Sequence, residues 1–255
     1  MSKPYDFERN NPIHLTRDAK GLNRLRPQGW LQYNDRIVQM RTVELLKPLL
    51  SKHRDPVVLS IGVGHGGLFL WLWRDATRIG IDINHEVMVK ARKEYGRDHF
   101  CAVEGDALHL PFPDCSVDIV AYDFVLHHLV GQASLQSAIA EGFRVLRPKG
   151  LVVSREPSSY SPSGCALNVL NRFRLMHKLT GASNQEFALS PPTLMRIFDR
   201  YGSVLLARGL TYLFAHRLPP RAQDLIRWIE PYLFRGAHSQ WFADFLLYVV
   251  QKGSK

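Results

Sequence analysis

Between residues 57 and 155 the chain alternates short apolar runs with segments of helical periodicity. Five segments have the length and composition of buried strands: VVLSI (57–61), RIGID (78–82), HFCAVEGD (99–106), VDIVAYDF (117–124) and LVVSR (151–155). The helices expected between them cover about 66–75, 84–95, with Asn84 as its N-cap, and 132–146. Such an alternation is typical of an α/β fold, a parallel sheet with helices on both faces.

Outside this region the alternation is less regular. Residues 31–50 place Ile37, Met40, Leu46 and Leu49 at helical spacing, which predicts an amphipathic helix. The later elements expected from their patterns are a helix near 164–179 in an insertion (156–189), a helix over 191–201 opened by Ser190 and two prolines, a strand over 203–214, a helix over 219–235 and a final strand over 244–250.

Composition excludes several classes of protein. The three cysteines show no CxxC spacing, which argues against a disulfide framework or a zinc site and fits a reducing cytoplasm. We find no signal peptide and no apolar run of about 18 residues, so we expect a cytoplasmic protein. The formal charge of +10 would suit an anionic partner. The basic residues are scattered, however, which favours a basic solvated surface and makes nucleic acid an unfavoured partner.

A glycine-rich turn lies between the first strand and its helix. Gly62, Gly64 and Gly66 in IGVGHGG would let the backbone turn sharply and approach a ligand closely. Asp82 ends the second strand 20 residues after Gly62, where a carboxylate can accept hydrogen bonds from two ribose hydroxyls. Gly62, Gly64 and Gly67 also match the GxGxxG pattern of dinucleotide-binding proteins, so the glycines alone leave both kinds of site open.

Four motifs in order resemble those of the class I, Rossmann-like S-adenosylmethionine-dependent methyltransferases, especially the group that includes quinone-biosynthesis C-methyltransferases. They are IGVGHG (61–66), GIDI (80–83), EGDALHLPFPDCSVDIVAYDFVLHHL (104–129) and FRVLRPKGLVV (143–153). The GDA and LHHL segments favour a methyltransferase over a dehydrogenase. The resemblance implies S-adenosylmethionine as cofactor and a seven-stranded, mostly parallel sheet in the order 3-2-1-4-5-7-6 with the last strand antiparallel.

The resemblance also implies roles for single residues. Gly62, Gly64 and Gly66 would pass under the methionine part of the cofactor, and Asp82 would hold the ribose. Ile83 would pack on the adenine, whose edge would bind to Asp106 and to the backbone N–H of Ala107. Tyr122, Asp123 and Phe124 would close the site. Relatives usually carry an acid two residues before the first glycine, where it binds the cofactor's ammonium group. This chain has Ser60 there, which removes a charge-assisted contact.

His127 and His128 are the candidate catalytic residues. They follow the fourth strand, where an imidazole could act as a general base, or the pair could be structural. The segment YDFV lacks the [DN]PP[YF] tetrapeptide that resembling enzymes use for amino groups of bases or glutamine amides. The ends of strands four and five carry no cysteine for a covalent cytosine mechanism. O-, C- or N-methylation of a small molecule or lipid precursor remains, and we predict no metal.

The expected organisation is a single domain over 1–255, with a helical lid (1–50), a cofactor-binding half (51–155) and a substrate-side half with helical insertions (156–255). Helix 219–235, which is apolar on one side and basic around it, would either pack on its own domain or rest on an anionic bilayer. An RNA methyltransferase and a non-catalytic cofactor-binding protein are the alternative functions. No pattern indicates the oligomeric state.

Overall fold

The computed structural model describes residues 28–51, 53, 55–64, 68–73, 75–96, 99–129, 132–172, 187–211, 228–229, 232–233 and 235–254. Its helices are α1 (Gln28–Leu50), α2 (Leu68–Leu72), α3 (His85–Tyr95), α4 (Gln132–Val145), α5 (Pro162–Arg172) and α6 (Pro191–Phe198). Its strands are β1 (Val57–Ile61), β2 (Thr77–Asp82), β3 (Phe100–Glu104), β4 (Val117–Asp123), β5 (Leu146–Pro157), β6 (Gly202–Gly209) and β7 (Phe245–Lys252). Two 3₁₀ helices cover Leu126–His128 and Ala237–Trp241.

The strands form one seven-stranded sheet in the order β3-β2-β1-β4-β5-β7-β6. Strands β1 to β5 pair in parallel, and β7 runs antiparallel to both β5 and β6. The predicted fold class and strand order are thus confirmed. Because β1 to β5 are parallel, their carboxyl ends meet at one edge of the sheet, which is where ligands bind in open α/β sheets. We refer to it below as the carboxyl edge.

Apolar side chains bury both faces of the sheet. On one face Leu59, Val120 and Val152 pack in a cluster with residues of α4 and α6. On the other face Val58 and Val153 pack with residues of α1 and α2. Burial on both faces explains why the central strands have almost continuous apolar sequences.

Helix α1 buries part of the predicted face. Leu46 is fully buried and Leu49 packs against the same core cluster, as predicted, but Met40 is 54% exposed and Val38 and Thr42 are buried in addition. The side chains at 38, 42 and 46 follow an i, i+4 row, and Thr42 fits there because its hydroxyl donates to the carbonyl of Val38 at 2.6 Å. This part of the predicted lid therefore packs in the core of the sheet.

Most other boundaries agree with the patterns to within a few residues. Asn84 caps α3 as predicted, since its side chain accepts the N–H groups of Glu86 and Val87. Strand β6 ends at Gly209 and does not reach residue 214. Strand β5 continues to Pro157, two residues beyond its predicted end. The rest of the insertion (173–186) and most of the predicted helix 219–235 lie outside the described residues.

Candidate active site

The turn after β1 brings two glycines to the carboxyl edge in backbone conformations that favour glycine. Gly62 and Gly64 have φ angles of 68° and 53°. A Cβ at Gly62 would lie 2.1 Å from Val125 Cγ2, so Gly62 lets the segment after β4 pack on the turn. Of the described atoms, only the Gly62 carbonyl oxygen lies within 4 Å of a Cβ placed at Gly64, at 3.9 Å. No described side chain therefore crowds this position, while Gly66 lies outside the described residues.

Asp82, at the end of β2, is hydrogen-bonded to this turn. Its Oδ2 accepts the Gly64 N–H and its Oδ1 accepts the Asn84 N–H, both at 2.9 Å. The carboxylate is only half-buried, and each oxygen retains a second lone pair. The next residue, Ile83, is 74% exposed although it is large and apolar. An exposed apolar side chain beside an accessible carboxylate suits a ligand that has both a flat apolar part and hydroxyl groups.

The loop after β3 carries Asp106 and Ala107 to the same edge. The N–H of Gly105 donates to the Asp82 carbonyl at 3.0 Å, which joins this loop to the end of β2. The Asp106 carboxylate accepts the N–H of Leu108 at 2.9 Å and remains 41% exposed. Asp106 and Ala107 thus directly follow a residue that is hydrogen-bonded to the end of β2.

Two residues of α4 hold the following part of this loop. Glu141 accepts the N–H of Leu110 at 2.8 Å, and Arg144 donates to the carbonyls of Leu110 and Phe112. The hydrogen bond from Arg144, and secondarily the N–H of Leu110, lowers the pKa of Glu141 against the opposing effect of burial. The charged pair therefore fixes the loop that presents Asp106.

The end of β4 has side chains on both faces of the sheet. Tyr122 is fully buried, its hydroxyl donates to the Ala138 carbonyl at 2.7 Å, and burial raises its pKa. Gly142 provides the space, because a Cβ there would lie 2.1 Å from the hydroxyl. The Tyr122 side chain therefore lies in the core rather than at the ligand edge assigned to it, and only its backbone reaches that edge.

Asp123 forms a buried ion pair with Arg155 of β5. Arg155 Nη2 lies 2.6 Å from Asp123 Oδ1, and its Nε donates to the same oxygen at 2.7 Å. The guanidinium carbon also lies 4.8 Å from the ring centroid of Phe124 and 5.7 Å from that of Phe69 in α2. Sequence analysis missed Arg155, which connects α2, β4 and β5 beneath the carboxyl edge. Ser60, on β1, is also buried, with 1% exposure.

His127 lies in the 3₁₀ helix after β4. It contacts Glu156, an acid to which sequence analysis gave no role. Its Nδ1 is 2.8 Å from Oε2 of Glu156, a fully buried carboxylate near the end of β5. His128 stacks beside it, with ring centroids 4.0 Å apart, but is more exposed. The signal for Glu156 was its position: a carboxylate directly follows an apolar strand at the edge where ligands bind.

Comparison with known proteins identifies the central part of the chain. Residues 59–154 match the family described as "Methyltransferase domain". A malonyl-[acyl-carrier protein] O-methyltransferase of Enterobacter lignolyticus is 28% identical over 143 residues, 55% of this chain and 53% of the relative. A fatty-acid O-methyltransferase of Mycolicibacterium smegmatis is 36% identical over 96 residues, 36% of this chain and 34% of the relative. The chain thus spans about half or less of these relatives.

The fold resembles that of known methyltransferases over more of the chain than the sequence match covers. The crystal structure of an S-adenosylmethionine-dependent methyltransferase from Methanosarcina mazei superposes with a TM-score of 0.59 at 19% identity, over 82% of this chain and 98% of that one. The sheet and the carboxyl edge define a class I methyltransferase fold. Residues 59–154 also match the methyltransferase family, and the sheet around them has the fold of these enzymes. The narrower resemblance to quinone-biosynthesis enzymes stays a prediction.

Two further features are absent from the described ranges. Within the described ranges, no group of three or more histidine, cysteine or acidic residues is placed to hold a metal ion. None of the helices in those ranges is long and apolar enough to cross a membrane.

Proposed function

We propose that this chain binds S-adenosylmethionine at the carboxyl edge and transfers its methyl group to a small-molecule or lipid-precursor acceptor. One observation carries the proposal: Asp82 is hydrogen-bonded to the glycine turn after β1, to the loop after β2 and to the loop after β3. Asp82 accepts the Gly64 N–H with its carboxylate and the Gly105 N–H with its carbonyl. When bound, the cofactor supplies a methyl carbon made electrophilic by a positively charged sulfur.

The residues at this edge fit such a cofactor. Within the described residues, Gly64 leaves open the space that a side chain would fill. The free lone pairs of the Asp82 carboxylate can accept hydroxyl groups, and the exposed Ile83 side chain can cover an aromatic ring. Asp106 and Ala107 offer a carboxylate and a backbone N–H next to them. Ser60 and Asp123 were also assigned to the cofactor, but Ser60 carries no charge and Asp123 already pairs with Arg155.

The class of acceptor is proposed from the relatives. Two of them are named for O-methylation, one of malonyl-acyl carrier protein and one of fatty acids. These names favour an oxygen nucleophile on an acyl chain or other small apolar molecule. Aromatic side chains outside the sheet could bury such a molecule, since Tyr160 and Trp241 pack together at 5.7 Å and remain about half exposed.

The experiment measures cofactor binding and acceptor class separately. Calorimetry with S-adenosylhomocysteine should show binding to the wild type and none to Gly64→Val, whose side chain would enter the open space. Gly253→Val is the matched control, because a Cβ at Gly253 meets nothing within 4 Å. Circular dichroism checks that Gly64→Val folds despite a backbone strain of about 1–3 kcal/mol.

Labelled methyl groups then identify the acceptor. The protein is incubated with methyl-labelled S-adenosylmethionine and cell extract, and the extract is separated into small-molecule, lipid and RNA fractions. We expect label in the small-molecule or lipid fraction. Label confined to RNA would replace the proposal by an RNA methyltransferase, and binding without any transfer would favour a non-catalytic protein. A folded wild type that does not bind S-adenosylhomocysteine contradicts the proposal as a whole.

A further inference from the structure

The Glu156 carboxylate receives four hydrogen-bonding groups from the segment that follows β4. Oε1 lies 3.0 Å from the backbone nitrogen of Val125 and 2.8 Å from that of Leu126. Oε2 lies 3.3 Å from the backbone nitrogen of His127 and 2.8 Å from its ring Nδ1. The three backbone N–H groups can only donate, and an ionised carboxylate can only accept, at about four lone-pair sites. The carboxylate is therefore fully used by this one segment.

This arrangement determines which ring nitrogen of His127 carries the proton. Because Glu156 accepts, the 2.8 Å contact requires a hydrogen on Nδ1. In a neutral imidazole with Nδ1 protonated, Nε2 keeps its lone pair and is a hydrogen-bond acceptor. None of the described residues forms a hydrogen bond with Nε2.

The ring of His127 is slightly exposed, whereas the Glu156 carboxylate beside it is fully buried. The His127 side chain is 10% exposed and that of Glu156 is 0% exposed. The carbonyl of His127 accepts the N–H of Phe187 at 3.1 Å, so the segment after the insertion also holds this turn. A rigid turn presenting one imidazole at the carboxyl edge can place Nε2 beside a bound acceptor.

We propose that Glu156 is a positioning residue that fixes the Nδ1–H tautomer of His127, and that His127 Nε2 takes the proton of a hydroxyl-bearing acceptor. The inference rests on the proposed methyl transfer. The acceptor oxygen bonds to the methyl carbon, the pair of the broken carbon–sulfur bond stays on sulfur, and the hydroxyl proton moves to Nε2. Glu156 stabilises the resulting imidazolium as its counter-ion. A carboxylate acceptor has no proton to give, so the base would serve hydroxyl acceptors and not carboxylates.

The first test reads the tautomer directly, without cofactor or activity. The full chain is labelled with ¹⁵N-histidine, and the His127 signals are assigned by their loss in His127→Asn. We expect a protonated Nδ1 and an unprotonated Nε2 in the wild type. In Glu156→Gln the amide NH₂ can donate to Nδ1, so the proton should move to Nε2. This exchange would show that Glu156 fixes the tautomer, and the turnover test shows whether that tautomer serves catalysis.

The second test measures turnover with hydroxyl and carboxylate acceptors. His127→Asn keeps an N–H donor for Glu156 but lacks Nε2, so turnover of a hydroxyl acceptor should fall about 10²- to 10⁴-fold while affinity for S-adenosylhomocysteine is unchanged. His99→Asn is the matched control: His99 is exposed at the opposite edge of the sheet, at a positive φ of 51° that asparagine tolerates. We expect wild-type turnover from this control.

The outcomes separate this inference from the proposed function. An Nε2–H tautomer in the wild type, near-native turnover of a hydroxyl acceptor by His127→Asn, or turnover of carboxylates alone overturns the inference while cofactor binding stands. Absence of S-adenosylhomocysteine binding to the wild type overturns the proposed function, whatever the tautomer. If Glu156→Gln does not fold, the wild-type spectrum still identifies the tautomer of His127, and the His127→Asn kinetics still show whether His127 acts as the base.

Discussion

Two carboxylates at the carboxyl edge differ in how many of their hydrogen-bonding sites the protein already occupies. Asp82, at the end of β2, accepts two backbone N–H groups and stays half-buried, with a second lone pair left on each oxygen. Glu156, near the end of β5, accepts three backbone N–H groups and a ring nitrogen, and none of its side chain is exposed. The first can still bind a ligand, whereas the second is saturated by the protein and can act only through His127.

The difference shows that position on the edge does not define a role. Both acids follow parallel strands, where a ligand acid is expected. What separates them is the number of protein donors that each already satisfies, and that number depends on the neighbouring loop. In our proposal, the edge thus has a cofactor side at β1 to β3 and an acceptor side at β4 and β5.

The largest expected effect is on stability, at Glu156. Glu156→Ala would leave three backbone N–H groups and a ring N–H without their acceptor, which should lower the free energy of unfolding by about 3–5 kcal/mol. Urea denaturation measures the change. Glu94→Ala, at an exposed site on α3, is the control and should stay near wild type. A loss below about 1 kcal/mol would mean that water replaces the carboxylate and that the turn is not held by it.

Introducing another carboxylate, at the end of β1, sharpens the comparison. Ser60→Asp places an acid at a site with 1% exposure, so the unloaded protein should lose about 3 kcal/mol of stability. If the cofactor's ammonium group binds beside residue 60, added S-adenosylmethionine should recover part of this loss. Thermal melts with and without cofactor measure both. A variant that binds more weakly than the wild type without unfolding would show that the methionine end lies elsewhere.

Asp82→Ala should affect binding more than folding. Removing charged hydrogen bonds to the ribose should weaken binding of S-adenosylhomocysteine by roughly 2 kcal/mol. Calorimetry measures this loss, and Asp199→Ala, an exposed acid after α6, serves as the control. Unchanged affinity in a folded Asp82→Ala variant would remove the ribose assignment and, with it, the contrast to Glu156.

The smallest effect concerns Glu141, which holds the loop after Asp106. Because its pKa is lowered in the folded protein, its contribution to stability is present above the pKa of an unfolded-state glutamate and is lost as the pH falls through the folded-state pKa. Glu141→Gln should therefore melt with a shallower pH dependence between about pH 5 and pH 3. Melting temperatures across this range, with Glu94→Gln for reference, test the expectation; parallel curves for Glu141→Gln and wild type would contradict it.

Strand order and the cap at Asn84 could be predicted because they depend on local patterns: alternation, spacing and turn residues. The edge could be located for the same reason. Glu156 could not be assigned a role, since its partners are backbone groups about 30 residues earlier in the chain. Tyr122 was placed at the ligand edge because its motif was read as a unit. Alternation along β4 would have put its side chain on the same face as Val120, in the core.

The antiparallel strand β7 has a consequence for how the protein is made. It lies between β5 and β6, and in the described sheet β6 pairs with no other strand. Residues 202–209 therefore leave the ribosome well before the strand that they pair with, and the buried strand β5 has an open edge until residues 245–252 arrive. Nascent chains that stall in this interval would expose an apolar sheet edge, to which chaperones and proteases bind.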